Sequence, residues 1–223
     1  MTMARLNGWI ATLTLLGGIG LATLGVSQAR AVEGPAPAPA TAPAAPKTPE
    51  EMVQHLKTQS DPYFESSMQE LQSLGVKAVP ALTAALKDPN PNLRGRAAAL
   101  LAGLGAGAKE SVPSLIPLVA DNTTAVRRLA IAALSAIGPD AAEAVPALTK
   151  ALADPMPDVR RAAAESLGSM GAAGKSAVPA LTELAQKDAS AEVKATAAKT
   201  VEALGGAPAA AAPDKAPAVP AKP

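Results

Sequence analysis

The stretch VPALTKALADPMPDVRRAAAESLGSMG, residues 145–171, has a near copy in VPALTAALKDPNPNLRGRAAALLAGLG, residues 79–105. The two belong to a series. Val79-Pro80, Val112-Pro113, Val145-Pro146 and Val178-Pro179 stand 33 residues apart, and a fixed period of this kind is the signature of a tandem-repeat architecture. A second landmark keeps step. Asp88, Asp121 and Asp154 are followed six residues later by Arg94, Arg127 and Arg160, and Asp188 with Lys194 continues the row after one inserted residue near Gln186. Each unit closes on a glycine: Gly105, Gly138, Gly171 and Gly205.

Inside a unit the apolar spacing is helical. Val126, Ala130, Leu134 and Ile137 fall at i, i+4, i+8 and i+11, and Val159, Ala163, Leu167 and Met170 repeat that stripe, the period of one helix face. The opening VPALTKAL places its proline in a first turn, where a missing N–H costs nothing, and lines up Val145, Leu148 and Leu152. In DPNPN and DPMPD the prolines end this first helix, and Pro91 and Pro157 suit the start of a second. Asn90, Thr123 and Ser190 occupy the N-cap position, where a side-chain oxygen accepts an orphan backbone N–H. Met156 cannot do this; Asp158 in the first turn partly compensates through the helix dipole. The closing glycines supply the left-handed residue that stops a helix. Each unit is therefore expected to be two short antiparallel helices.

The pattern V-P-x-L-x-x-x-L-x-D followed by V-R-x-x-A-x-x-x-L-x-x-hydrophobic-G resembles the HEAT repeat, in the short form known from phycobilisome lyases. The resemblance covers residues 76–205 in units 76–105, 106–138, 139–171 and 172–205. Ankyrin repeats share the period and a Pro-Leu opening, but their T-P-L-H histidine is absent from all four units. The resemblance implies an all-α fold, a right-handed α-solenoid of HEAT-like helical hairpins. It also implies that Asp88, Arg94, Asp121, Arg127, Asp154, Arg160, Asp188 and Lys194 form a structural ladder of hydrogen bonds between neighbouring turns. The second helix of each unit would line a concave side, where the residues off the apolar stripe change from unit to unit. Arg96, Arg128, Arg161, Glu165 and Lys199 are the candidate partner-binding residues there.

Residues 49–75 read as a degenerate first unit, with Thr48 as N-cap and an inter-helix loop three residues shorter than in the others. An end unit must cover its neighbour's apolar flank while facing water, which accounts for its divergence and polarity. Tyr63 and Phe64 are assigned to this cap, and His55 to its surface.

The flanks differ in character. Arg5 precedes the apolar run Leu6–Val26, and small residues follow in SQARA, as in a secretory signal cleaved after Ala29 or Ala31. Residues 1–31 are expected to be a signal peptide, with an uncleaved N-terminal anchor as the alternative. Residues 32–48 and 206–223 are Pro/Ala-rich, a composition that builds no core and leans to extended polyproline geometry. The repeat domain, 49–205, lies between them.

The chain has no cysteine and one histidine, which removes disulfides, thiolate chemistry and any Ser/His/Asp set that does not use His55. Between residues 49 and 205 there are 15 Lys and Arg against 17 Asp and Glu, so no basic face invites nucleic acid. The run GLGAGAKES, residues 103–111, lacks the strand and the Gly-Lys-Ser/Thr ending of a phosphate loop. The expected function is a non-enzymatic protein-binding or scaffolding module, monomeric, without cofactor or metal, in the periplasm or secreted. An inner-membrane-anchored form facing the periplasm is the alternative location. A bilin lyase or chaperone-like protein is the alternative function.

Overall fold

The computed structural model describes residues 45–206. The signal segment 1–31, the linker 32–48 apart from its last four residues, and the tail 206–223 apart from Gly206 lie outside the described residues. Ten α-helices follow one another: α1 (Pro49–His55), α2 (Phe64–Leu74), α3 (Val79–Ala85), α4 (Pro91–Leu104), α5 (Val112–Leu115), α6 (Thr124–Ile137), α7 (Val145–Ala151), α8 (Pro157–Ser169), α9 (Val178–Lys187) and α10 (Ala191–Ala203). No strand occurs among the described residues. The fold is an all-α solenoid of helical hairpins, each odd-numbered helix paired with the even-numbered one after it.

Alanine explains how the hairpins stack. Ala97, Ala98, Ala130, Ala133, Ala163 and Ala164 are fully buried, so the even-numbered helices approach closely, α4 on α6, α6 on α8 and α8 on α10. At Gly95 a methyl group would sit 3.2 Å from Leu129 Cδ1, and at Gly168 it would sit 3.2 Å from Thr200 Cγ2. Both sets of helices contribute leucines to the core, Leu82, Leu115, Leu148 and Leu181 from the odd-numbered helices and Leu71, Leu101, Leu134 and Leu167 from the even-numbered ones, and the odd-numbered helices pack mainly on their own partner helix.

The junctions add detail that the periodicity does not show. After the closing glycine, 3-10 turns span Gly105–Ser111, Gly138–Ala144 and Gly171–Ala177 before the next α-helix begins. Gly138, at φ +71°, turns the chain sharply. This is why Thr124–Ala151, apolar and long enough by composition to cross a membrane, is instead two helices packed into the solenoid, with half of its most apolar window buried. In the second full unit α5 is only four residues long and continues as a 3-10 helix over Ile116–Ala120. Pro117 is the cause, because it has no N–H to give to the residue four back.

Two expectations need correction. The cap unit is shortened in its second helix and not in its loop: α2 has 11 residues where α4 and α6 have 14, while residues 56–63 connect α1 to α2. Thr123 holds the N-cap position of α6 but its side chain makes no capping bond to the helix backbone, whereas Asn90 Oδ1 accepts from Asn92 N at 2.9 Å and Ser190 Oγ from Val193 N at 3.4 Å. The structure shows a capping box at Thr48: its Oγ1 accepts from Glu51 N at 3.2 Å, and Glu51 Oε2 accepts from Thr48 N at 3.4 Å.

Candidate functional site

The repeated charges lie where consecutive units meet. Arg94 donates from Nε to Asp121 Oδ2 at 2.9 Å and from Nη2 to Oδ1 at 3.0 Å. Arg127 grips Asp154 in the same way at 2.7 and 3.0 Å, and Arg160 grips Asp188 at 2.6 and 2.9 Å. Each arginine also donates from Nη1 to the backbone carbonyl of its own unit's aspartate, Asp88, Asp121 or Asp154, at 2.9 Å. One guanidinium thus ties its own turn to the next. The aspartates do a second job: Oδ1 of Asp88, Asp121, Asp154 and Asp188 accepts the N–H two residues on, from Asn90, Thr123, Met156 and Ser190. This bond restrains the helix start even at Met156, whose side chain has nothing to offer.

The electrostatics follow from these bonds. The Arg160 guanidinium, bonded to Asp188, holds that carboxyl below the ordinary aspartate range. Asp88 is lowered chiefly by the Asn90 N–H, with help from Lys57. At Asp121 burial pulls upward, and Arg94 and the Thr123 N–H more than offset it.

The five candidate partner-binding residues divide into three kinds. Arg96 donates from Nη1 to the Leu56 carbonyl, and its guanidinium lies 4.7 Å from the Phe64 ring centroid, so it is committed to the cap unit. Arg161 is held among carboxylates, with Nη1 3.2 Å from Glu165 Oε1, Nε 3.3 Å from Glu192 Oε1 and Nη2 3.9 Å from Asp158 Oδ1. Glu165 is exposed and shared with that network. Arg128 and Lys199 are exposed and make no ion pair or hydrogen bond among the described residues. Ala99 on α4 and Ala132 on α6 are small exposed side chains of the even-numbered helices.

On the opposite side the odd-numbered helices stand apart and leave clefts between consecutive units. One of about 570 Å³ lies between the turn after α3, residues 86–89, and α5, walled by Arg94 and Asp121 of the ladder, one of about 480 Å³ between the Ile116–Ala120 turn and α7, and one of about 380 Å³ between α7 and α9. No group of three or more His, Asp or Glu side chains is arranged to hold a metal ion among the described residues.

Residues 79–168 and 139–205 match the family model for HEAT repeats, more than half of the chain. The chain belongs to the HEAT repeat family. Solved structures share the fold. The CpcE–CpcF complex of phycocyanin lyase from Nostoc sp. PCC7120 aligns with a TM-score of 0.59 and 20% identity, over 68% of this chain and 96% of that one. A designed armadillo repeat protein in complex with the peptide (KR)4 aligns with a TM-score of 0.55 and 19% identity, over 70% of this chain and 81% of that one. An engineered protein aligns at 0.52 and 19% over 70% and 78%. No curated protein matches the chain.

In the HEAT register the ends of the ladder become readable. Asp61 is the cap unit's ladder aspartate: its Oδ1 accepts Tyr63 N at 2.9 Å, two residues on, as in every other unit. No earlier described unit supplies an arginine, and His55 Nδ1 takes that place at 2.8 Å from Asp61 Oδ1. His55, expected on the surface, is instead three-quarters buried and edge-on to Tyr63. The Tyr63 N–H and the imidazole hold Asp61 below its ordinary range. Six residues after Asp61 the arginine position holds Ser67, buried, its Oγ without a partner among the described residues. Lys57 serves Asp88 in its stead, 3.4 Å from Oδ2. At the other end Lys194 is half-buried with no bonded carboxylate, since no described unit follows it. The Asp-Pro pair at 61–62, matching 88–89 and 154–155, is the sequence signal that marks Asp61.

Proposed function

We propose that this HEAT solenoid is a non-enzymatic protein-binding or scaffolding module that works after export to the cell envelope. The observation that carries the binding reading is where the charge is spent. The recurring Asp and Arg side chains are consumed in bonds between units, so the most conspicuous polar residues of the chain hold the fold. What faces solvent on the even-numbered helices differs from unit to unit: Arg128 on α6, Glu165 on α8 and Lys199 on α10. Two structural neighbours are complexes, one with a peptide and one between CpcE and CpcF, which supports a protein partner here. Export is supported by Arg5, the apolar run after it and SQARA.

Capture from envelope extract tests the reading, with Arg128→Glu, Glu165→Lys and Lys199→Glu combined as the control. Exposed charges set encounter and specificity without carrying a fold, so partners retained by the wild type are expected to be lost by the triple variant at unchanged melting temperature. Retention of every partner would remove this face from the binding surface. The alternative, a chromophore lyase, draws support from the phycocyanin lyase neighbour. Appearance of bilin absorbance on the purified chain would favour it.

A further inference from the structure

We propose that the outer face of the last described unit, formed by α9 and α10, is a self-association surface, and that its occupant is the same face of a second copy of this chain, in place of the monomer expected from the sequence. The repeat register shows what this face is built for. Ala98, Ile131 and Ala164 on α4, α6 and α8 are fully buried, on the row turned to the following unit. A methyl group on Gly95, one turn before Ala98, would meet Leu129, and one on Gly168, one turn after Ala164, would meet Thr200. Ala198 holds the same position in α10 and is half-exposed. The first helices of the units agree: Leu86, Val119 and Leu152 are buried, while Ala185, in their register, is half-exposed together with Leu184. The ladder is open at the same edge. Arg94, Arg127 and Arg160 each bond a carboxylate of the next unit, and Lys194, in their register, bonds none among the described residues. The end unit of a solenoid must turn a polar face to water, yet this one keeps the VPAL opening of residues 178–181 and the alanine row of an internal unit.

Charge and symmetry select the occupant. Ala195 and Ala198 are small enough to let another helix come close, and the face carries one cation and one anion, Lys194 and Glu202, four residues to either side of Ala198. With two α10 helices antiparallel about a two-fold axis at Ala198, each Lys194 stands opposite Glu202 of the second copy. Two-fold contacts are self-complementary in this way, residue i meeting j and j meeting i. Within one chain Lys194 and Glu202 are about 12 Å apart along the helix, and neither makes an ion pair among the described residues, so both charges remain for the second copy. The same axis brings Leu184 and Ala185 toward their own counterparts and removes their apolar surface from water. A head-to-tail stack is blocked at its other end. There the ladder would offer Asp61 to Lys194, but the Tyr63 N–H and His55 Nδ1 already bond Asp61 Oδ1, so the cap unit closes the row.

Sedimentation equilibrium of the full chain, purified from its own host, tests the pairing. The expected mass at high concentration is twice that of one chain. Glu202→Lys is expected to reduce it to a single chain at unchanged circular dichroism, and Lys194→Glu together with Glu202→Lys to restore the doubled mass, because the exchanged charges again face each other across the axis. Lys194→Glu alone is the weaker probe, since Lys194 also helps to hold the Asp188 carboxyl below its ordinary range. A second measurement does not depend on charge. The chain has no cysteine, so Ala198→Cys reports on one position; mild oxidation is expected to convert most of it to a covalent dimer, while Ala132→Cys, exposed on α6, stays single. A single-chain mass at every concentration overturns the proposal and leaves the face to another segment or another protein. A doubled mass that survives Glu202→Lys, an exchange that fails to restore it in a folded double variant, or species larger than two chains overturns it as well.

Discussion

At the scale of single residues, Arg127 shows how much one side chain can hold. It makes two bonds to Asp154, one to the Asp121 carbonyl and one to Thr124 Oγ1 at 3.3 Å, and its side chain and that of Asp154 are 11% and 9% exposed. Removing it leaves a nearly buried carboxylate unpaired, and breaking a buried pair this way is strongly destabilising. Arg127→Ala is expected to lower unfolding stability by about 2 kcal/mol, read from urea midpoints at constant m-value; an unchanged midpoint would deny the ladder its structural role. The acid limb follows from the same bonds. Asp88, Asp121 and Asp188 are held below their ordinary range in the fold, so the stability they give is complete above the unfolded carboxyl value, about 3.9. It is lost as pH falls through their lower folded values. Stability is expected to decline below about pH 4, and Asp188→Asn to flatten that decline while costing stability at neutral pH.

At the scale of elements, the hairpins are legible in the sequence because each carries three agreeing signals: a proline in the first turn, a 3.6-residue stripe and a closing glycine. The parts that are not legible are those where a tertiary demand acts on a residue without a periodic mark. Pro117 sits on the exposed side of its helix and breaks it without disturbing the stripe. The shortening of α2 reads as a shorter loop unless Asp61-Pro62 is aligned with Asp88-Pro89. Arg96 reads as a solvent-facing residue of α4 because the sequence cannot show that Leu56 and Phe64 come within its reach. The cap hairpin α1–α2 is tied to the next unit by that arginine and by Lys57 on Asp88. Arg96→Ala removes both a hydrogen bond from a charged donor and a cation–π interaction, and is therefore expected to lower the local opening energy of α1 and α2 by about 1–2 kcal/mol. Faster amide exchange confined to residues 49–74, with α8 and α10 unchanged, is the outcome to look for. Equal acceleration along the chain would mean the cap is not a separate unit of stability.

At the scale of the whole molecule, the described residues form a row of similar hairpins. Each repeat touches only its neighbours, so stability is close to a sum of units and interfaces, and the surface is long for its mass. Under the proposed function, the variable charges on the even helices are the binding face of such a surface. The composition of the flanks is what supports the proposed location. A positively charged start, an apolar run loosened by Gly17, Gly18 and Gly20, and small residues at Ser27, Ala29 and Ala31 are the elements a signal peptidase reads. The mature chain is expected to begin at Arg30 or Val32. N-terminal sequencing of the protein from fractionated native cells checks this, because an intact Met1 in the soluble cytoplasmic fraction contradicts export, and an intact Met1 in the membrane fraction replaces cleavage with anchoring. With either cleavage or anchoring the repeats meet the same compartment. The charge-reversed triple variant should then lose envelope partners and gain no cytoplasmic ones, an outcome that ties the location of the molecule to the face that does the binding.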